Sequence, residues 1–287
     1  MRCRMNSIWL VLFTSVLLTG GCTDNPFEGD ATIQAGDRTI SGVVQLSDSD
    51  DHSGVYVWME GFDIATTTDA EGRFSLTLPP PSSQTSGGGV DGIFNVYTFL
   101  GNYRLQRTRT AVRDGAFVFP STDIDDAGRI VEPILLLQKI DIQIDLDRTH
   151  IEADSPRFIA VEVQLKSNAQ PSTAYFPRMY GRIEGPILLH NLRTGKVEIY
   201  STTVVGIDMT DHVSLGPVPY KRTLLLNIPK YALKAGIYEV LPFIVAKNEV
   251  IPLHLLNSLG IDVTALSEEY VFYPLRRKSG LLHVSPS

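Results

Sequence analysis

The sequence predicts an all-β chain built of two β-sandwich domains, 38–138 and 139–287. Short runs of β-branched and aromatic residues recur through both ranges, and Gly, Pro, Asn and Asp separate them, which is typical of sandwiches. The clearest run, 72–78, places Phe74, Leu76 and Leu78 on one face and polar side chains on the other. The chain has 287 residues, enough for two domains of about 100–150 residues each.

The composition argues against several functions. Charged residues make up 20% of the chain and hydrophobic residues 43%, so the bulk of the chain is not expected to be disordered. The formal net charge of −7 argues against a nucleic-acid partner, because phosphate binding requires a basic surface. The same charge argues against broad electrostatic attachment to anionic lipids.

The first 21 residues have the pattern of a secretory signal peptide. Arg2 and Arg4 lie in a basic start, an apolar run follows at 8–18, and small residues precede Cys22. The apolar run is too short to cross a hydrocarbon core of ~30 Å as a permanent helix. We therefore predict that residues 1–21 are removed, which makes the mature chain two charges more negative.

Leu18, Gly20 and Gly21 followed by Cys22 resemble the lipobox of bacterial lipoproteins, although Thr19 stands where that family prefers an aliphatic residue. The resemblance implies that residues 1–21 are a lipoprotein signal peptide and that Cys22 is acylated, so that membrane lipid is one partner. Several acyl chains, at ~0.8 kcal/mol per buried CH₂, would make this attachment stable. The alternative is a plain secretory signal in which Cys22 is incidental.

Residues 22–37 are polar and rich in Gly, Asp and Pro, which predicts a lipidated, flexible tether before the first domain. The predicted location is therefore the cell envelope. Thr23, rather than Asp, follows the cysteine. The lipoprotein resemblance implies that this sends the protein to the outer membrane if the host is Gram-negative.

The first domain is predicted to contain short strands and no helix. Thr68–Gly72 is predicted to be a tight turn, because Asp and Gly occupy positions that favour turns. The strands predicted from the residue pattern are Arg38–Leu46, Gly54–Met59, Ala65–Thr68 and Gly72–Leu78.

Three segments of this domain resemble the carboxypeptidase regulatory-like family: 40–44 (ISGVV), 54–57 (GVYV) and 68–79 (TDAEGRFSLTLP). Residues 101–103 fit the Gly-Tyr pair that follows a later strand in that family, with Asn102 inserted. The resemblance covers roughly a third of the chain and implies a seven-stranded, transthyretin-like sandwich. Its later strands would then be Phe94–Tyr97, Ala116–Phe119 and Ile130–Leu137. It also implies an accessory module without chemistry of its own, although fold alone does not define function.

The second domain is predicted to be an Ig-like sandwich, and 233–240 (LKAGIYEV) is similar to bacterial Ig-like modules. Asn191–Gly195 is predicted to be a hairpin turn, and Leu253–Leu259 a short helix. Glu268–Pro274 and Leu281–Val284 are predicted to be edge strands or a tail that packs across the interface. The other predicted strands are Lys139–Asp147, Arg157–Lys166, Gly185–His190, Lys196–Thr202, Arg222–Ile228 and Leu233–Ala246.

Three segments are candidate binding loops, because loops on rigid sandwiches often carry binding. They are Asp48–Asp51, Pro79–Gly92 and Tyr175–Tyr180, and the last has a composition that is enriched at protein interfaces. Aromatic side chains that could be exposed are further candidates for sugar or protein binding, although core packing is the favoured interpretation for each. These aromatics are Trp58, Tyr175, Phe176, Tyr180, Tyr220 and Tyr231.

Two acidic runs, 48–51 and 123–126, offer the hard oxygen ligands that Ca²⁺ prefers. The second run precedes Gly128 and begins like a calcium loop. However, its fifth position is Ala127 and its twelfth is Ile134 instead of Glu. A solvated turn is therefore the favoured interpretation.

The sequence predicts neither an enzyme nor a bound cofactor or metal. It contains no nucleophile elbow, no His-Glu-x-x-His pattern and no phosphate-binding loop. A structural zinc site needs about four ligands, and the histidines have no ligand spacing. The six histidines are His52, His150, His190, His212, His254 and His283.

These patterns predict a membrane-anchored envelope protein that acts as a non-catalytic binding or structural module. Its partner is expected to be an envelope protein or a glycan. The first alternative is a carbohydrate- or ligand-binding protein with coplanar exposed aromatics on one face. The second is a protease inhibitor or accessory factor.

Overall fold

The all-β prediction is confirmed: the fold is of the sandwich type, with several sheets and one short α-helix among the described residues. The computed structural model describes residues 38–84, 89–119, 123–154, 156–168, 171–176, 186–200, 211–247, 251–262 and 266–286. The predicted signal peptide and tether, including Cys22, lie outside these ranges.

The N-terminal half forms a three-stranded and a five-stranded sheet that enclose a first core. Its strands are β1 (Thr39–Leu46), β2 (Tyr56–Met59), β3 (Ile64–Thr67), β4 (Arg73–Thr77), β5 (Gly92–Phe99), β6 (Gln106–Arg113), β7 (Ala116–Val118) and β8 (Ile134–Leu136). The sheet orders are β4-β1-β8 and β3-β2-β5-β6-β7. Ile40 and Leu76 from one sheet pack with Val57 and Val96 from the other.

The C-terminal half forms three sheets around a second core. Its strands are β9 (Ile140–Leu146), β10 (His150–Glu152), β11 (Arg157–Ser167), β12 (Ser172–Phe176), β13 (Ile187–Asn191), β14 (Val197–Tyr200), β15 (Asp211–Leu215), β16 (Tyr220–Ile228), β17 (Gly236–Pro242), β18 (Val245–Ala246) and β19 (Gly280–Ser285). The α-helix is α1 (Leu253–Ser258), and 3-10 helices cover Pro81–Ser83 and Glu268–Phe272. The sheet orders are β16-β11-β9, β10-β19-β17-β13-β14 and β15-β12-β18.

The two cores meet within one compact unit, Asp37–Ser287. Trp58, Tyr97 and Phe99 lie on the face of the five-stranded sheet that points away from the first core, and they join the second core. The N-terminal half therefore contributes side chains to the core of the C-terminal half. The division into a transthyretin-like and an Ig-like domain at residue 138 stays a prediction.

Of the two alternatives predicted for the segments near the C-terminus, the edge-strand alternative is corrected. Most of Glu268–Pro274 is a 3-10 helix and not a strand, and its Tyr270 is buried. Leu281–Val284 lies within β19, which is an inner strand between β10 and β17 and not an edge strand. Tyr270 and the inward residues of β19 are buried by partners that are distant in sequence, which local patterns do not reveal.

Residues 273–278, which we call the C-terminal strap, connect the two halves. The Gly101 N–H donates to the Pro274 carbonyl at 2.5 Å, and the Arg276 guanidinium donates to Ser49 and Asp51, each at 3.0 Å. The strap then joins the second core, where the Lys278 N–H donates to the Ile142 carbonyl. The C-terminal strap thus contacts loops that belong to the N-terminal half.

Tyr103 lies beside this contact and makes stability sensitive to alkaline pH. Its hydroxyl donates to Asp48 at 2.6 Å, and burial, followed by the nearby Asp48 carboxylate, raises its pKa well above the usual value. A raised pKa means that this stabilisation is complete below the unfolded-state pKa of about 10 and is lost as the pH rises above it.

We expect the Tyr103→Phe variant to lose less stability than the wild type between about pH 9 and about pH 11. The difference in slope should approach, but not exceed, ~1.4 kcal/mol per pH unit, the value for one proton. Denaturant unfolding across this range measures it. Tyr231→Phe, at an exposed tyrosine, is the control and should keep the wild-type slope. Parallel curves for the Tyr103→Phe variant and the wild type would refute the assignment.

Candidate functional site

The predicted acidic loop Asp48–Asp51 is held by contacts within the protein. Asp48 accepts hydrogen bonds from Tyr103 at 2.6 Å and from Gln138 at 2.7 Å. Hydrogen bonds from Ser53, and then the Arg276 guanidinium, lower the pKa of Asp51 below its usual value. This loop therefore supports the contact with the C-terminal strap, although Asp48, Asp50 and Asp51 are all exposed.

The predicted loop Pro79–Gly92 connects β4 and β5, which belong to different sheets. Its anchor is Gln84, which is buried and donates to the carbonyl oxygens of Pro79 and Gly115, each at 2.8 Å. The Val90 N–H in turn donates to the Gln84 side chain at 3.0 Å. Residues 85–88 lie outside the described residues.

The prediction that Tyr175–Tyr180 forms a loop is wrong for its first two residues. Tyr175 and Phe176 end strand β12, and Phe176 is buried beneath the Arg222 guanidinium, 4.6 Å from its ring centre. Residues 177–180, including Tyr180, lie outside the described residues.

The aromatic candidates do not form an exposed platform in the described part of the chain. Trp58 is only 4% exposed, as the favoured interpretation of core packing predicts. Tyr231 is 66% exposed, with the Lys230 ammonium 4.8 Å from its ring centre, and Tyr220 is partly buried. The other strongly exposed rings in the described ranges are Phe158 and Phe272, and neither pairs with Tyr231.

The acidic run at 123–126 is organised as a turn. The Asp125 carboxylate accepts the N–H groups of Ala127 at 3.0 Å and Arg129 at 2.8 Å, and these bonds, led by that of Arg129, lower its pKa. Asp125 also pairs with the Arg129 guanidinium at 3.4 Å. Within the described residues, no group of three or more His, Cys, Asp or Glu side chains could hold a metal ion.

The strongest candidate site is a groove of about 460 Å³, which we call the Trp58 groove, between the β2–β3 turn and α1. Its volume lies within the ~300–1,000 Å³ typical of small-molecule sites. Trp58 lines it. The turn contributes Glu60, Gly61 and Asp63, and the helix contributes His254, Asn257 and Ser258.

Contacts on both sides hold the walls of the Trp58 groove. On the helix side, the Tyr56 hydroxyl lies 3.2 Å from the Ser258 carbonyl oxygen and 3.1 Å from its hydroxyl. Leu255, fully buried, anchors α1 in the second core, so His254 and Asn257 face outward. On the turn side, Asn95 donates to the Glu60 carboxylate at 2.6 Å.

The β2–β3 turn has a backbone conformation that presents its two carboxylates. Gly61 and Asp63 both have positive φ, +83° and +50°. Phe62 packs edge-on against Phe94, with ring centres 4.9 Å apart, and so anchors the turn to β5. The Asp63 side chain is exposed, and Glu60 is partly buried.

The indole Nε1 of Trp58 is buried and has no hydrogen-bond partner among the described residues. The ring stacks on Tyr97, with centres 5.8 Å apart and planes 24° apart. A buried donor without a partner costs about 1–3 kcal/mol, so such groups are rare and call for an explanation.

Sequence reasoning selected Trp58 and missed the rest of the groove. The Tyr56–Ser258 contact joins residues 202 positions apart, so no local motif links the turn to the helix.

Comparison with protein-family models gives no match to this chain, and a search of curated proteins gives none either. Among the described residues, no helix has the length and apolar character needed to cross a membrane.

Proposed function

We propose that this protein is a lipid-anchored protein of the cell envelope that acts as a non-catalytic binding module. The anchor is Cys22, and the ligand binds in the Trp58 groove. The observation that carries the binding function is the Trp58 groove itself, which has two carboxylates, Glu60 and Asp63, on one wall and His254 and Asn257 on the other. The lipobox-like segment before Cys22 supports the anchor.

A non-catalytic role fits the chemistry of the groove. Among its described lining residues, only Ser258 bears a hydroxyl, which donates to the Leu255 carbonyl at 2.8 Å and contacts the Tyr56 hydroxyl. This geometry serves the helix and does not provide a serine nucleophile with an adjacent base. The groove therefore supplies recognition groups, and the tether predicted at 22–37 would hold them close to the membrane.

The anchor is tested by intact mass and membrane fractionation of the protein made in its native envelope. We expect the wild type to carry acyl chains and to sediment with membranes, and the Cys22→Ala variant to lack both properties. Cys3→Ala is the matched control, because Cys3 lies in the predicted signal peptide and its loss should leave the mature protein unchanged. An unmodified, membrane-free wild type would refute the anchor.

The groove is tested by fluorescence, because the chain has two tryptophans and Trp9 lies in the predicted signal peptide. Trp58 emission thus reports the groove alone in the processed protein. We expect solubilised envelope extract to shift this emission. Glu60→Gln together with Asp63→Asn should raise the extract concentration that gives half of the shift at least about ten-fold, the effect of one lost charged hydrogen bond on affinity. Asp91→Asn, an exposed carboxylate elsewhere, is the control. An extract that leaves the emission unchanged would refute this site.

A further inference from the structure

We infer that the N-terminal half binds an extended segment of a partner protein, which adds to the free edge of β6 as a further strand. The segment carries acidic side chains at alternate positions, with small or apolar residues between them. This inference goes beyond the proposed function, because it concerns a second cleft that shares no lining residue with the Trp58 groove.

Strand β6 has one edge that is only partly covered. On one side, β6 pairs with β5 from Gln106 to Val112. On the other side, β7 pairs only with Ala111–Arg113, and no strand among the described residues pairs with this side of 106–110. The backbone N–H and C=O groups along an open edge are a template for another strand. At ~3.3 Å per residue, the open edge is about 17 Å long.

A cleft of about 470 Å³, which we call the β6 cleft, lies along this open edge. Residues 107–109 of β6 form one wall, and Pro133 and Ile134 lie on the other, where β8 begins. The two strands meet at one end of the cleft, where the Arg104 N–H donates to the Leu137 carbonyl at 2.9 Å. Pro133 has no N–H to donate, so the β8 wall is a poorer template than β6. An added strand is therefore expected to pair with β6.

Charge selects the side chains of the added strand. Arg107 and Arg109 are exposed at alternate positions and so share one face of β6. Neither forms an ion pair with a carboxylate of the described residues. Opposite charges on directly opposed residues of neighbouring strands stabilise pairing, and like charges destabilise it. Acidic residues two positions apart therefore fit this edge, whereas a second copy of β6 would bring arginines together.

The residue between the two acidic residues is expected to be small or apolar. Thr108 points to the opposite face from the arginines and is partly buried. Ile130 and Ile134 line the same cleft and pack against the first core. Asp123 and Glu132 also line the cleft, and their carboxylates can accept N–H groups from the far edge of the added strand. The expected pattern of the partner segment is thus acidic, apolar, acidic.

The test measures the binding of short, capped, fluorescently labelled peptides to the processed, lipidated protein in a non-ionic detergent. The probe alternates glutamate and valine. In three comparison peptides, lysine replaces glutamate, the glutamates are grouped at one end, or alternate amides are N-methylated. Fluorescence anisotropy should show that the probe binds at least about ten-fold more tightly than each of the three, because each loses either the charge pairing or the strand pairing.

Variants assign the binding to the open edge of β6. Arg107→Glu together with Arg109→Glu should weaken binding of the probe at least about ten-fold and allow the lysine peptide to bind. Arg113→Glu is the matched control, because Arg113 lies on the same face of the same strand where β7 covers the edge. It should change either affinity by less than about two-fold, since charges beyond about 10 Å are largely screened. Urea unfolding checks that each variant is folded.

Hydrogen exchange locates the pairing. The bound probe should slow amide exchange within 106–110, because new backbone hydrogen bonds form there. Equal binding of the peptide with grouped glutamates would show that charge alone is recognised, and would overturn the inference. A probe that does not bind, or that protects other segments only, would also overturn it. Glu60→Gln with Asp63→Asn should leave binding of the probe unchanged, so that this test and that of the Trp58 groove succeed or fail separately.

Discussion

Replacing Asn102 with alanine is expected to lower the free energy of unfolding by about 3–5 kcal/mol. Asn102 is completely buried, and its amide nitrogen donates to the carbonyl oxygens of Ile140 and Arg276, each at 2.8 Å. Its side-chain oxygen accepts the Arg276 N–H at 3.0 Å. One side chain thus satisfies three backbone groups from the start of β9 and the C-terminal strap. Each group left without a partner costs about 1–3 kcal/mol.

Urea unfolding followed by circular dichroism measures this loss. Asn227→Ala, on the exposed face of β16, is the control and should change stability by less than about 0.5 kcal/mol. The Asn102→Asp variant keeps the acceptor but points a charged oxygen at two carbonyl oxygens. It is expected to be least stable at neutral pH and to recover as the pH falls, because a protonated carboxyl can again donate. Equal stabilities for Asn102→Ala and Asn227→Ala would show that the three bonds are not needed.

The Gly72→Ala substitution is expected to be the second large effect, with a loss of about 3 kcal/mol or more. Gly72 ends the turn between β3 and β4 with φ of +79°, where a side chain costs about 1–2 kcal/mol. A Cβ at this position would also lie 2.0 Å from the Val44 carbonyl oxygen. That contact forces β1 and the turn apart. The separation also breaks the 2.8 Å hydrogen bond that the Val44 N–H donates to the Gly72 carbonyl.

Gly195→Ala is the matched control for Gly72→Ala. Gly195 has a similar φ of +71° in the β13–β14 hairpin, but a Cβ added there would have no described atom within 4 Å beyond its chain neighbours. This control should therefore show the conformational cost alone, about 1–2 kcal/mol. The difference in melting temperature between the two variants isolates the steric contact with β1. Similar losses in the two variants would mean that the backbone conformation, and not the contact, explains both.

The elements that were predicted well are those whose cause is local. Strand β4 alternates exposed and buried residues as the period-2 pattern of Gly72–Leu78 predicts, because each side of the strand meets one environment. The Thr68–Gly72 turn is confirmed: the Gly72 N–H donates to the Asp69 carbonyl at 2.9 Å, and the Arg73 N–H donates to the Asp69 carboxylate at 2.7 Å. These bonds join residues three or four positions apart, so their signals lie within one short segment.

Strands with mixed patterns were missed. Strand β6 was not predicted. Arg107 and Arg109 alternate with threonines, so the segment has the polar composition typical of a loop. Its inward residues Thr110 and Val112 are buried only because the two sheets of the N-terminal half close over them. Strand β10 has three residues, and it forms because it pairs in parallel with β19, which lies more than a hundred residues later in the chain.

By itself, the sequence determined the all-β class, the main strands, the turn at Gly72 and the short helix near Leu253, because these depend on period and turn chemistry within a few residues. Only the tertiary structure decided that Trp58 is covered and becomes part of a groove, and that Asn102 joins the two halves. Ser258, which contacts Tyr56 beside the groove, and Arg276, which bonds to Asn102, each lie about two hundred positions away from their partner along the chain. Burial and hydrogen bonding at such distances arise from packing, and packing has no local signature.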